Sequence, residues 1–72
     1  MKDLENKLQN KSSIISKSMR IVDILASSSG PMNFSEILSK SGLAKSSTHR
    51  LLSILQYEGL IYYDQSYKTY GL

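Results

Sequence analysis

Residues 33–52, NFSEILSKSGLAKSSTHRLL, constrain the fold of this chain more than any other stretch. Phe34, Ile37 and Leu38 recur at the spacing of one helical face. Ser41-Gly42-Leu43 then interrupts the period, and Thr48, Leu51, Leu52 and Leu55 open a second apolar stripe. Two short helices joined by a glycine-containing turn form a helix-turn-helix, and a third helix is needed to close the core beneath them.

The outer face of the second helix carries the functional information. At about 100° per residue, burying Thr48, Leu51, Leu52 and Leu55 leaves Ser46, Arg50 and Ser53 pointing away. Ser47 and His49 flank them, and Lys45 lies at the rim near the helix start. A helix with an apolar back and a front of short hydroxyls, one imidazole and one guanidinium suits the DNA major groove. Arginine grips guanine through two parallel hydrogen bonds, serine donates or accepts at several base edges, and small side chains let the helix sink close to the bases. The plain alternative is a solvated face, the norm for an amphipathic helix. Against it stands the lack of Asp and Glu across residues 43–56, where a solvated helix mixes both signs.

Upstream, residues 1–11 are polar and mixed in charge, with only Leu4 and Leu8 apolar, and one apolar residue per turn seldom holds a helix alone. Residues 1–12 are therefore expected as a flexible or helical arm, a loose arm being favoured over a docked dimerisation helix. From such an arm Lys2, Lys7 and Lys11 can reach phosphates. Ser12 or Ser13 can cap the first firm helix. Along it Ile14, Ile15, Met19, Val22, Leu25 and Ala26 trace a broad stripe, thickened by Ile21 and Ile24. It is expected to run out in Ser27-Ser28-Ser29-Gly30-Pro31, with glycine as a left-handed cap and proline blocking continuation. Met32-Asn33-Phe34-Ser35-Glu36-Ile37 has the form of a helix start: Asn33 as cap, Glu36 completing a capping box, and Met32 stapled onto Ile37. Ser35 and the free amides of that turn can receive a DNA phosphate.

The second helix of the motif, over about 45–58, is expected to end at Glu58-Gly59. Leu60-Ile61-Tyr62-Tyr63 and Lys68-Thr69-Tyr70-Gly71-Leu72 are rich in β-formers and flank the turn-prone Asp64-Gln65-Ser66, which predicts a two-stranded hairpin. A hairpin directly after a recognition helix is a wing. An isolated hairpin is only marginally stable, so it must lie back on the helices through alternate residues such as Leu60 and Tyr62. Tyr57, Tyr62, Tyr63, Tyr67 and Tyr70 read better as packing residues than as stacking platforms for single strands.

Composition narrows the function classes. With 72 residues there is room for one small domain. A net charge of +3 and a pI near 9.3 are compatible with nucleic acid. The absence of cysteine removes disulfides, thiolate catalysis and thiolate metal sites together. No segment looks like a signal peptide or a membrane span, so a soluble, cytoplasmic protein without membrane association is expected. His49 is the single histidine; Ser46 and Ser53 lie one turn either side, but no acidic residue is near to orient the imidazole. No enzyme, cofactor or metal site is expected.

Ser18-Met19-Arg20-Ile21-Val22-Asp23-Ile24-Leu25, Gly30-Pro31, Phe34-Ser35-Glu36-Ile37, the run from Ser41-Gly42-Leu43-Ala44-Lys45 through His49-Arg50-Leu51-Leu52, and Glu58-Gly59-Leu60-Ile61 occur in this order. In that order and spacing they resemble the N-terminal DNA-binding domain of the isocitrate lyase regulator (IclR) family of bacterial transcription factors. The Gly-Leu-x-Lys-Ser-x-x-His-Arg-Leu-Leu run is the most specific part. The resemblance implies a winged helix-turn-helix followed, in the full protein, by a larger domain that binds a small effector and drives dimers or tetramers. It also implies that Lys45, Ser46, Ser47, His49 and Arg50 lie on the DNA-reading helix. The chain departs from the family pattern at Ala44, where proline is frequent, at Thr48, where a hydrophobic residue is common, and at the wing tip Gln65-Ser66-Tyr67.

The expected fold is mainly α with a small β-hairpin, a winged helix-turn-helix over residues 13–72 made of a three-helix core plus a two-stranded wing. The helix-turn-helix spans about 33–52 and the wing about 60–72. The expected function is sequence-specific binding of a double-stranded DNA operator by a regulator of this type, as a homodimer or tetramer. Control by a small-molecule effector would act through a C-terminal domain beyond these residues. The DNA-contacting residues are expected to be Ser35, Lys45, Ser46, Ser47, His49, Arg50, Ser53, Tyr67 and Lys68. The alternative is a winged helix that serves only protein–protein interaction.

Overall fold

A computed structural model describes the backbone of residues 2–72 and the side chains from residue 13 onward. The elements in chain order are α1 (Lys2–Ser27), β1 (Met32–Asn33), α2 (Phe34–Ser41), α3 (Lys45–Tyr57), β2 (Tyr62–Asp64) and β3 (Thr69–Gly71). Three helices carrying a small antiparallel sheet form a winged helix-turn-helix, as the sequence predicts.

The helix α1 begins at Lys2 and passes through the start predicted at Ser12 or Ser13. No glycine or proline interrupts the chain before Gly30, and serine inside a helix costs only tenths of a kcal/mol, about 0.5 relative to alanine. The lysines predicted to reach phosphates, Lys2, Lys7 and Lys11, have side chains outside the described residues. Farther along, the buried face differs from the predicted stripe. Ile21 and Leu25 are buried and Val22 and Ile24 pack beside them, whereas Ile14, Ile15, Met19 and Ala26 are exposed. The sequence offers two overlapping apolar faces on α1, and docking against α2 and α3 selects the one centred on Ile21.

The exit from α1 also departs from expectation. Gly30 is not left-handed; positive φ among the glycines belongs to Gly42 and Gly59. Instead the Ser28 amide donates to the Leu25 carbonyl at 3.3 Å and the Ser28 hydroxyl donates to the Gly30 carbonyl at 2.6 Å, so a serine side chain closes the turn.

Ile21, Leu25, Met32, Ile37, Leu51, Leu52, Leu55 and Ile61 form one buried cluster drawing on all three helices and the wing. Each helix buries one stripe that none could cover alone, which is why the domain needs all of them. The predicted hairpin is present as β2 and β3, but it gains a third strand. β1 pairs antiparallel with β3 (Met32 opposite Tyr70, Asn33 opposite Thr69), giving the order β1-β3-β2 with β3 central. Tyr63 lies opposite Tyr70 and Asp64 opposite Thr69 on the other side. A two-residue strand is too short to show any alternation in sequence.

The wing's anchor is Ile61, 5% exposed, rather than Leu60 or Tyr62, which are 56% and 47% exposed. Gly59, at φ +76°, sets this register. Its amide donates to the Gln56 carbonyl at 3.0 Å and the Leu60 amide to the Leu55 carbonyl at 2.9 Å, the paired bonds of a Schellman motif. The chain therefore leaves α3 turned so that Ile61 enters the core.

Candidate nucleic-acid interface

The helix-turn-helix is fixed at both ends of α2. Asn33 Oδ1 accepts from the Glu36 amide at 2.9 Å and Glu36 Oε1 accepts from the Asn33 amide at 3.3 Å, the predicted capping box. At the other end Gly42 adopts φ +67° and its amide donates to the Leu38 carbonyl at 3.3 Å. The buried Ser41 hydroxyl donates to the same carbonyl at 3.1 Å and accepts from the Leu43 amide at 3.2 Å. The turn is thus held by its own short side chains, and it delivers the chain into α3 at a set angle.

The rotation of α3 follows from its buried residues, which are Thr48, Leu51, Leu52 and Leu55 as predicted. Thr48 is fully buried, and its hydroxyl donates to the Ala44 carbonyl at 3.0 Å, so no orphaned polar atom is placed in the core. With that stripe inside, Lys45, Ser46, His49, Arg50 and Ser53 are exposed and Ser47 is half-buried. Among the described residues, α1 borders this face only along its Ser47–Arg50 edge.

Within the face the side chains divide between the two flanking helices. His49 leans on α2, its ring stacked on Phe34 with centroids 3.9 Å apart and planes 14° apart. On the other side Ser47 and Arg50 line a shallow groove with Ile14 and Lys17 of α1 and Ile54 of α3. Ser53 is exposed, but its hydroxyl donates to the His49 carbonyl at 3.0 Å, which leaves its oxygen to act as an acceptor.

The two helix starts differ in electrostatics. In α2 the Glu36 carboxylate and the Asn33 side chain already occupy part of the first turn, leaving the exposed Ser35 hydroxyl as the group free to reach outward. In α3 the cap is Ala44, with no side-chain hydrogen bond, and Lys45 is the first residue. The open amides, the helix dipole and the ammonium all favour an anion at this end.

At the wing tip Asp64 Oδ1 accepts from the Ser66 amide at 2.8 Å and the Tyr67 amide at 3.2 Å, closing the turn. Tyr67 and Lys68 project from it exposed, Lys68 at φ +54°. The predicted residues therefore fall into two groups, the α2–α3 face and the wing tip.

Three further residues border this face beyond those predicted from the sequence. Phe34 reads as ordinary apolar packing. Lys17 joins the groove beside Arg50 only because α1 crosses there. Tyr57, read as a packing residue, is 89% exposed and continues the row Ser46, Arg50, Ser53. Its position eleven residues beyond Ser46 was legible from helical spacing. Packing does account for Tyr70, whose ring meets that of Tyr63 at 4.8 Å and 53°.

Among the described residues no group of three or more His, Cys, Asp or Glu is placed to hold a metal ion, and no helix is long and apolar enough to cross a membrane.

The fold and this face together define a winged helix-turn-helix domain whose second motif helix, α3, is open on its outer side and free of acidic residues. Residues 15–65 match the family model of the IclR helix-turn-helix domain. That match covers well over half of the chain, which belongs to this family of DNA-binding transcription regulators. It begins inside α1 and ends in the wing turn before β3. No curated protein and no solved structure matches the chain.

Proposed function

We propose that this domain reads a specific double-stranded DNA operator by laying α3 in the major groove. Arg50 and Ser46 meet base edges, and Ser47, His49 and Ser53 add base or phosphate contacts. Lys45, Ser35 and the wing residues Tyr67 and Lys68 hold the backbone. Two copies read a roughly palindromic operator whose half-sites lie about one turn of DNA apart, roughly 34–36 Å. In the full-length regulator a small-molecule effector acts through a C-terminal domain. The role is non-enzymatic and cytoplasmic.

The observation that carries this reading is the open outer face of α3, which bears an arginine, a lysine, an imidazole and short hydroxyls without a carboxylate. A winged helix that only bound proteins would have no physical need to keep such a face bare.

Titration of salt against binding to random duplex separates the two. A DNA reader loses affinity linearly in log salt, with a slope of about −0.9 per phosphate neutralised. No measurable binding even at low salt would instead establish the protein-interaction alternative.

A further inference from the structure

We infer that Phe34 is a positioning residue for base reading: by stacking on His49 it holds the imidazole with its face covered and one edge turned toward the groove. This deepens the proposed role of α3 and rests on it.

An exposed histidine on a helix ordinarily samples several rotamers, and ordering it on binding costs free energy. Here the ring is stacked nearly parallel on Phe34, with centroids 3.9 Å apart and planes 14° apart. Stacking uses the face alone; the two ring nitrogens lie in the ring plane and stay available as donor and acceptor. The imidazole is therefore pre-ordered without losing the groups that recognise a base edge.

Phe34 is itself unusually well fixed for a residue at a helix start. It follows directly on β1, which is paired to β3 through Met32–Tyr70 and Asn33–Thr69. The Asn33–Glu36 capping box brackets it, and its ring packs against the core cluster. A residue held from the strand, the cap and the core can hold another. Lys68 sits in the turn immediately before Thr69, the first residue of β3, so the wing tip and the imidazole are both tied to that strand.

The test uses the full chain and base preferences selected from a random duplex pool. Phe34→Leu and Phe34→Met remove the ring while keeping apolar bulk; Phe34→Tyr keeps the ring; His49→Ala removes its partner. In the free protein, the His49 imidazole C–H resonances are expected upfield in the wild type and Phe34→Tyr, and at ordinary positions in the ring-less variants. On DNA, the ring-less variants and His49→Ala are expected to lose preference at the same base pair, by about five- to a hundredfold. Phe34→Tyr retains it, and Phe34→Leu combined with His49→Ala loses no more than His49→Ala alone. Unchanged preferences in the ring-less variants, or equal loss on every duplex, would overturn the inference while leaving α3 as the reading helix. A wild type that binds no duplex at all would overturn both.

Discussion

Arg20 Nη1 donates to the Ser41 carbonyl at 3.2 Å, tying the C-terminal third of α1 to the last residue of α2, immediately before the turn. A cation at a helix C-terminus also meets the negative end of the dipole. Arg20→Met keeps the aliphatic stem and removes the donor. Because the guanidinium is largely exposed, the loss is expected to be about 1 kcal/mol, read as a lower urea midpoint with an unchanged slope.

Gly42 and Lys68 both occupy left-handed backbone, and the two sites predict opposite signs. A Cβ at Gly42 would meet nothing within 4 Å, so Gly42→Ala is penalised by conformation alone, about 1–2 kcal/mol. Lys68→Gly relieves the same kind of strain and should stabilise the fold by up to about 1 kcal/mol. It should at the same time weaken binding to every duplex, because a wing cation is lost. Thermal unfolding and low-salt duplex binding, measured on the same samples, check this divergence.

The buried Thr48 hydroxyl donates to a carbonyl that already accepts the Thr48 amide at 2.9 Å. Thr48→Val therefore removes a donor without orphaning its acceptor and keeps the side-chain shape. Stability is expected to stay within about 1 kcal/mol of wild type or to rise. A loss of several kcal/mol in chemical denaturation would show that the hydroxyl does more than satisfy itself.

On the proposed interface, Arg50→Ala is expected to cost about 1–3 kcal/mol on the operator and to relax preference at one base position. Lys45→Ala should weaken all sequences alike and reduce the salt slope by about 1. Equal loss on every operator variant for Arg50→Ala would count against base reading by that residue.

Burial, and secondarily the neighbouring Tyr63, pushes the Tyr70 hydroxyl above its ordinary value of 10.0. The folded state thus favours the neutral phenol. Its contribution is fully present below the unfolded pKa and is lost as pH rises through the folded one. Stability should fall above about pH 10, and Tyr70→Phe should lessen that fall in alkaline denaturation.

Much of the candidate site is legible in the sequence. Helical period alone identified the four buried residues of α3 and hence the exposed set from Lys45 to Ser53, because a helix's faces are fixed by its geometry. The capping box needed only Asn33 and Glu36 at a spacing of three. The buried face of α1 differs from the expected one for the complementary reason. Ile15 and Met19 are as apolar as Ile21 and Leu25, and only the position of α2 and α3 decides which pair is covered. β1 and the Phe34–His49 stack were invisible because no local rule links residues so distant in sequence.

What the sequence by itself determined is therefore the set of helices, their caps, the turn at Gly42 and the outward face of α3, all products of interactions a few residues apart. What only the tertiary structure decided is which side of α1 is buried, that β3 sits between two neighbours, and which helix each exposed side chain of α3 leans on. Those depend on where separate elements dock, and docking is chosen by the shape of the whole apolar surface rather than by any one segment.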